Sequence, residues 1–87
     1  MMTMPSPLSV DIVIAEDSRI QAKILERRLT EAGHRVRWGA DGQAALELVR
    51  EQPPAIIVSD IEMPNMTGYE FCKAVKQDSS LKKIPFV

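Results

Sequence analysis

The segment Ala55–Asp60, with the sequence AIIVSD, is the clearest indicator of the fold of this chain. A short apolar run of this kind is typical of a buried strand, and here a carboxylate ends it abruptly. A second, mainly apolar run, Val10–Ala15, ends in the same way in two adjacent acids, Glu16 and Asp17. Two strands that both end in acids predict a single acidic pocket.

The prediction that these acids meet follows from the geometry of parallel sheets, in which neighbouring strands bring their carboxyl ends to one crevice. At a separation of ~5 Å and an effective dielectric constant near ~20, each pair of carboxylates repels by roughly 3 kcal/mol. A fold retains such a cluster only with a counter-charge or a raised pKa. Magnesium suits this role because it prefers oxygen ligands and is held by carboxylates together with phosphate oxygens. The cluster therefore predicts a Mg²⁺ site for phosphate chemistry, with Asp60 as the candidate nucleophile.

Length and composition limit the possible classes of protein. The 87 residues are enough for one small domain. With 11 basic and 12 acidic residues the net charge is -1, which argues against direct binding to nucleic acid. The single cysteine, Cys72, cannot form an internal disulfide, and no segment has the character of a secretory signal or a membrane span. We therefore expect a soluble, cytoplasmic protein with no direct contact to nucleic acid or membrane.

The first part of the chain is predicted to form a leader, a strand and a helix. Residues 1–9 lack periodicity and are expected to form a flexible leader, with the folded domain over residues 10–87. Ser18 and Gln21 have the spacing of a capping box, and Gly33 is placed to end the first helix. The core stripe predicted for this helix comprises Ile20, Ile24, Leu25, Leu29 and Ala32.

The same alternation of strand and helix continues to the end of the sequence. A second strand is predicted over Arg35–Trp38, and Asp41 with Gly42 starts a second helix. After Asp60, the spacing of Thr67 and Glu70 predicts a capping box for a third helix. The inner face of that helix is predicted to carry Phe71, Cys72 and Val75. A polar connection, Gln77–Lys83, and the start of a fourth strand, Ile84–Val87, are predicted to follow.

Strands that alternate with helices of this length predict right-handed βαβ units and a parallel sheet covered on both faces. The continuous apolar character of the first and third strands supports this, because strands buried on both sides lose polar alternation. The predicted fold class is a doubly wound α/β fold, with three strand–helix units followed by the start of a fourth strand.

In their order and spacing, these features resemble the receiver domain of two-component response regulators. The shared features are the acids that follow the strands, the Asp-Gly turn with the helix after it, and the Met-Pro and Gly beyond the third strand: Glu16, Asp17, Asp41, Gly42, Ala45, Leu46, Asp60, Met63, Pro64 and Gly68. The resemblance covers Val10–Val87. It implies a flavodoxin-like strand order, for which a chemotaxis receiver is an established example.

The resemblance also implies a role for each acid. Asp60 would accept a phosphoryl group from a sensor histidine kinase or a histidine phosphotransfer protein. Asp17 and Asp60 would hold Mg²⁺ through their side chains, Glu16 directly or through water, and Glu62 through its backbone carbonyl. Such a reaction forms an acyl phosphate, and positioning and electrostatics supply most of its rate.

Receiver domains also use a serine or threonine at the end of the fourth strand and a lysine at the end of the fifth. The sequence reaches Val87 within the predicted fourth strand, so the resemblance assigns no residue to either role. We therefore expect weak Mg²⁺ binding, slow phosphorylation and impaired switching in the 87-residue chain. An incomplete sheet edge would leave apolar side chains such as Phe86 without cover, which suggests two hypotheses. Either the chain is a fragment of a longer receiver, or it forms a homodimer through that edge.

Two other functions compete with this interpretation. A magnesium-dependent phosphatase of the haloacid dehalogenase type also uses an aspartate at a strand end, but that family expects a second aspartate where this chain has Glu62. A degenerate receiver that serves only as an interaction or assembly module is the other alternative.

Cys72 is interpreted as a core residue, and no site role is assigned to His34 or Trp38. The basic side chains of the first helix are interpreted as a solvated face, with docking of an upstream kinase or phosphotransfer helix, as in similar proteins, as the alternative. They are Arg19, Lys23, Arg27 and Arg28.

Overall fold

The computed structural model describes residues 9–87. Strands and helices alternate through this part of the chain in the order β1 (Asp11–Ala15), α1 (Arg19–Glu31), β2 (Arg35–Gly39), α2 (Gly42–Glu51), β3 (Ile56–Ser59) and α3 (Gly68–Gln77). The predicted fold class is therefore confirmed. Of the predicted leader, all but Ser9 lies outside the described residues, so its flexibility and the domain start at residue 10 remain predictions.

The strands form a parallel sheet in the order β2-β1-β3, with β1 in the centre. Beyond β3, Phe86 pairs with Ile57 in parallel, and the Val87 N–H donates to the Ile57 carbonyl at 2.8 Å. The predicted start of a fourth strand is thus present, on the outer side of β3. The resulting order is that of the flavodoxin-like fold.

The core lies mainly on one face of the sheet, beneath α2 and α3. Because side chains alternate along a strand, Val13 and Ala15 point towards these helices while Ile12 and Ile14 point to the opposite face. All four are almost fully buried, with relative exposures of 0%, 1%, 4% and 1% respectively, as expected for a central strand. In β3 only Ile57 is fully buried, so two-sided burial describes β1 better than β3. The main cluster comprises Val13, Ala15, Ala45, Leu46, Val49, Ile57, Met63, Phe71, Val75 and Leu81.

The core stripe predicted for α1 was wrong at its first two positions and at its last. Ile20 is 73% exposed and Ile24 is 46% exposed, and Ala32 is also exposed. The buried residue of this helix is Ala22, which is 1% exposed. The face in contact with the sheet is therefore rotated from the predicted stripe, although Gly33, at φ 94°, ends the helix as predicted.

The segment predicted to be a polar connection contributes a core residue. Leu81 is 2% exposed and belongs to the cluster that includes Phe71 and Val75. After α3 the chain makes a tight turn in which the Leu81 N–H donates to the Asp78 carbonyl at 3.0 Å. This turn directs one apolar side chain inward from a segment that is otherwise polar.

Candidate functional site

The acids that follow β1 and β3 meet because these two strands are in register at their carboxyl ends. Ala15 lies opposite Ser59, and the Asp60 N–H continues the pairing by donating to the Ala15 carbonyl at 2.8 Å. Carboxylate oxygens of Glu16, Asp17 and Asp60 all lie within 4.8 Å of one another. The structure therefore brings these three predicted site residues together.

Glu16 is held in place through both its backbone and its side chain. Its N–H donates to the Gly39 carbonyl at 3.1 Å, and its own carbonyl accepts the indole N–H of Trp38 at 2.8 Å. Its Oε1 accepts the Ser18 N–H at 3.1 Å. Trp38, to which the sequence analysis gave no role, thus supports the site from the neighbouring strand β2.

The capping box predicted at Ser18 forms only in part, for a reason connected with the site. The Ser18 hydroxyl accepts the Gln21 N–H at 3.3 Å, as an N-cap should. The Ser18 N–H, which a capping box would give to the side chain of Gln21, instead donates to Glu16. The start of α1 therefore fixes the orientation of a candidate metal ligand.

Asp60 is half-buried, and its two carboxylate oxygens differ in their surroundings. Oδ1 accepts the Ile61 N–H at 2.8 Å. The hydrogen bonds among residues 9–87 do not use Oδ2, so this oxygen is available to a ligand or a reactant. The side chain is thus oriented by one oxygen and can react through the other.

Gly68, one of the residues on which the resemblance rests, packs against the backbone of Asp60. The Gly68 N–H donates to the Ile61 carbonyl at 2.8 Å. A Cβ at this position would lie 2.1 Å from the Asp60 carbonyl oxygen, far inside van der Waals contact. Glycine is therefore required here for α3 to begin this close to the site.

The electrostatics of the cluster favour a bound cation. Burial raises the pKa of the Glu16 carboxyl, and the negative charges of Asp60 and Asp17 raise it further against the opposing hydrogen bond from Ser18. At the effective dielectric constant of a protein surface, each carboxylate pair at this range repels by roughly 3 kcal/mol. An all-oxygen donor set with excess negative charge is the set that Mg²⁺ prefers, so these residues fit that ion.

Glu62 has an exposed side chain and is not part of this carboxylate cluster. Its proposed action through the backbone carbonyl therefore stays a prediction.

Cys72, interpreted from the sequence as a core residue, is half-buried and lines an apolar cavity of about 180 Å³ that also reaches Asp60.

Comparison with known proteins identifies the family. Residues 12–87 match the model of the response regulator receiver domain. The chain belongs to this family. Receiver domains are signalling domains, and the resemblance noted from the sequence is confirmed.

Relatives of known structure or sequence agree with this assignment. The transcriptional regulatory protein AfsQ1 of Streptomyces coelicolor is 37% identical over 70 residues, which are 80% of this chain and 31% of that protein. The chemotaxis response regulator CheY4 of Vibrio cholerae is 35% identical with a TM-score of 0.86, over 90% of this chain and 65% of that one. The chain thus spans about a third of the length of AfsQ1 and about two thirds of CheY4.

A third structure shares the receiver fold at lower identity. It is the receiver domain of the sensor histidine kinase PA1611 from Pseudomonas aeruginosa, 24% identical with a TM-score of 0.85 over 90% of this chain and 64% of that one. That structure contains a magnesium ion coordinated in its active-site cleft.

In residues 9–87 of the present chain, no helix combines the length and apolar character needed to cross a membrane.

Proposed function

We propose that this receiver domain accepts a phosphoryl group on Asp60, with Mg²⁺ held by the side chains of Glu16, Asp17 and Asp60. The observation that carries the proposal is the convergence of their carboxylate oxygens to within 4.8 Å at the ends of two adjacent strands. Such a cluster is costly without a cation, and the family's chemistry uses one. The backbone carbonyl of Glu62 is proposed as a further ligand.

In the proposed reaction the uncommitted Oδ2 of Asp60 attacks the phosphorus of the donor. A new O–P bond forms, the bond from phosphorus to the donor's leaving atom breaks, and that atom departs with the electron pair. The product is an acyl phosphate on Asp60. The Ile61 N–H holds Oδ1 at 2.8 Å, so that the attacking oxygen keeps one orientation. Bound Mg²⁺ would neutralise charge on the transferred oxygens.

We propose a sensor histidine kinase or a histidine phosphotransfer protein as the donor, in the cytoplasm. The near-neutral charge of the chain, -1, supports a protein partner rather than nucleic acid. Within residues 9–87, the ion pairs are Arg27–Glu31 and Arg35–Asp11, and neither supplies a cation at Asp60.

The proposal is tested by incubating the chain with MgCl₂ and acetyl phosphate and locating any phosphoryl group by peptide mass spectrometry. We expect an acid-stable, base-labile modification at Asp60 that is absent without Mg²⁺ and absent in Asp60→Asn. Modification elsewhere with Asp60 unmodified would contradict the proposal. Steady release of phosphate without a trapped adduct would support a phosphatase, and no reaction would support an interaction module.

A further inference from the structure

A side-chain hydrogen bond ties the loop that begins at Asp60 to the start of α2. Asp41, the N-cap of α2, accepts the Ala44 N–H through Oδ1 at 2.8 Å. Its second oxygen, Oδ2, accepts the side-chain amide of Asn65 at 2.7 Å. Asp41 thus joins two elements whose residues lie 24 positions apart in the sequence.

The loop adopts an unfavourable backbone conformation at the residue that makes this contact. Asn65 has φ 67°, in the left-handed region, which is unfavourable for a residue with a Cβ but is tolerated better by asparagine than by most other residues. Within the loop, the Met66 N–H donates to the Pro64 carbonyl at 2.7 Å, which closes a tight turn around Asn65. The hydrogen bond to Asp41 adds a contact from outside the loop that stabilises this conformation of its tip.

A second contact brings the same two segments together. Gly42 is buried, and a Cβ there would lie 2.5 Å from the Met66 carbonyl oxygen, so the backbones pack directly against each other. At the base of the loop the Gly68 N–H donates to the Ile61 carbonyl at 2.8 Å. The loop is therefore fixed at its base by α3 and at its tip by the start of α2.

We propose that Asp41 is a positioning residue for the metal site, acting through Asn65 on the loop that contains Glu62. A loop already held in one conformation loses less conformational entropy when it contributes a ligand, so the metal binds more tightly. The inference rests on the proposed function. It assigns to Asp41 a role beyond capping α2.

The test is a double-mutant cycle in the 87-residue chain. Asp41→Ser keeps an N-cap side chain but is too short to reach Asn65, and Asn65→Gly keeps the left-handed backbone but removes the amide. Asp78→Ser is the matched control, because Asp78 accepts the Ser80 N–H at 2.9 Å beyond the far end of α3. Mg²⁺ affinity is measured by calorimetry and by the fluorescence of Trp38, whose indole contacts Glu16.

We expect each single variant to bind Mg²⁺ roughly five- to tenfold more weakly, as for loss of one net hydrogen bond. The double variant should bind no more weakly than the weaker single variant, and Asp78→Ser should bind like the parent chain. Without metal, amide hydrogen exchange across residues 61–67 should be faster in both single variants. The exchange variant Asp41→Asn/Asn65→Asp restores one donor and one acceptor and should recover the affinity.

Two results would overturn the inference alone: unchanged Mg²⁺ affinity in both single variants, or losses that add in the double variant. Both would show that the two residues do not act through their mutual contact. Absence of Mg²⁺ binding in the parent chain would overturn the proposed function and this inference together. Measuring Mg²⁺ binding by the parent chain therefore distinguishes failure of the proposed function from failure of this inference alone.

Discussion

At the scale of single residues, the acids of the site are held by hydrogen bonds between side chains and the backbone of neighbouring residues. Glu16 is oriented by Ser18 and Trp38, and Asp60 is oriented by the Ile61 N–H. The acids themselves could be predicted from the sequence because they follow apolar runs directly. Their supporting contacts could not, because Trp38 and Glu16 are 22 residues apart and only the strand register brings them together.

Replacement of Gly68 by alanine tests the close packing of α3 against Asp60. Alanine normally favours a helix over glycine, but here its Cβ would meet the Asp60 carbonyl oxygen at 2.1 Å and the Ile61 Cα at 3.0 Å. These are backbone atoms, so the loop must move, and we expect a loss of about 1–3 kcal/mol in the free energy of unfolding. Urea denaturation measures this loss. Lys73→Ala, on the exposed face of the same helix, should change stability by less than about 0.5 kcal/mol; an equal loss in both variants would contradict the explanation.

The pKa of Asp41 predicts a pH dependence of stability. The Ala44 N–H, followed by the Asn65 amide, lowers the pKa of this carboxyl below its ordinary value of 3.8. A group whose pKa is lower in the folded state stabilises the fold above the unfolded pKa, and this contribution disappears as pH falls through the folded pKa. Apart from the opposite contribution of Glu16, whose pKa is raised, we therefore expect the free energy of unfolding to fall as pH drops from about 5 through the folded-state pKa of Asp41. Asp41→Asn should reduce that slope.

The free energy of unfolding of Asp41→Asn should still depend on pH, because hydrogen bonds also lower the pKa values of Glu70 and Asp78. Glu47→Gln, exposed on α2, serves as the control for loss of one negative charge. If Asp41→Asn and the parent chain showed the same slope, Asp41 would not contribute to acid sensitivity.

At the scale of elements, helix starts and the central strand could be predicted from local patterns. Asp41 caps α2, and Thr67 with Glu70 forms the predicted capping box of α3, at 3.2 and 3.1 Å. The buried face of α1 could not be predicted in the same way. Apolar spacing identifies several candidate faces, whereas the face that is buried depends on how the helix lies on the sheet. In α1 the buried residue is Ala22, which lies outside the predicted stripe.

The corrected burial of α1 predicts opposite outcomes for two substitutions. Ile20→Gln should change the free energy of unfolding by less than about 0.5 kcal/mol, because Ile20 is 73% exposed. Ala22→Leu should cost about 1–3 kcal/mol, because Ala22 is 1% exposed and a larger side chain must push the helix from the sheet. Thermal or urea denaturation measures both. A large loss for Ile20→Gln would show that Ile20 is covered in solution.

At the scale of the whole molecule, the sheet brings together what the sequence separates. The strand order follows from the fold class, and the convergence of Asp60 with Glu16 and Asp17 follows from that order. Leu81 and the contact between Asp41 and Asn65 were beyond prediction, because each depends on a turn whose path is determined by packing elsewhere in the molecule.

Self-association through the outer edge of the sheet is also a property of the whole molecule and remains a prediction. Ile61 and Tyr69 are 55% and 72% exposed and lie around the apolar cavity beside Asp60. Apolar surface next to a strand edge favours association. We expect the mass from sedimentation equilibrium to rise with concentration towards that of a dimer. A monomer of constant mass that unfolds cooperatively would contradict this.

We infer that the clustered carboxylates are held at a cost in stability which a divalent cation offsets. The decisive measurement is the free energy of unfolding of the parent chain and of Asp60→Asn, each in EDTA and in excess Mg²⁺. An asparagine side chain has nearly the same shape as the aspartate but no charge. In EDTA the variant should therefore be more stable by on the order of 1 kcal/mol, because repulsion is relieved but solvent already screens much of it between these partly exposed groups. Glu62→Gln is the control, since its proposed contact uses the backbone.

In Mg²⁺ at about 100 times the dissociation constant, the parent chain and Glu62→Gln should each gain about 2.7 kcal/mol, while Asp60→Asn should gain little. The order of stability of the parent chain and Asp60→Asn should therefore reverse between the two conditions. If Asp60→Asn were less stable than the parent chain in EDTA, and Mg²⁺ stabilised neither protein, the proposed cation site would be contradicted.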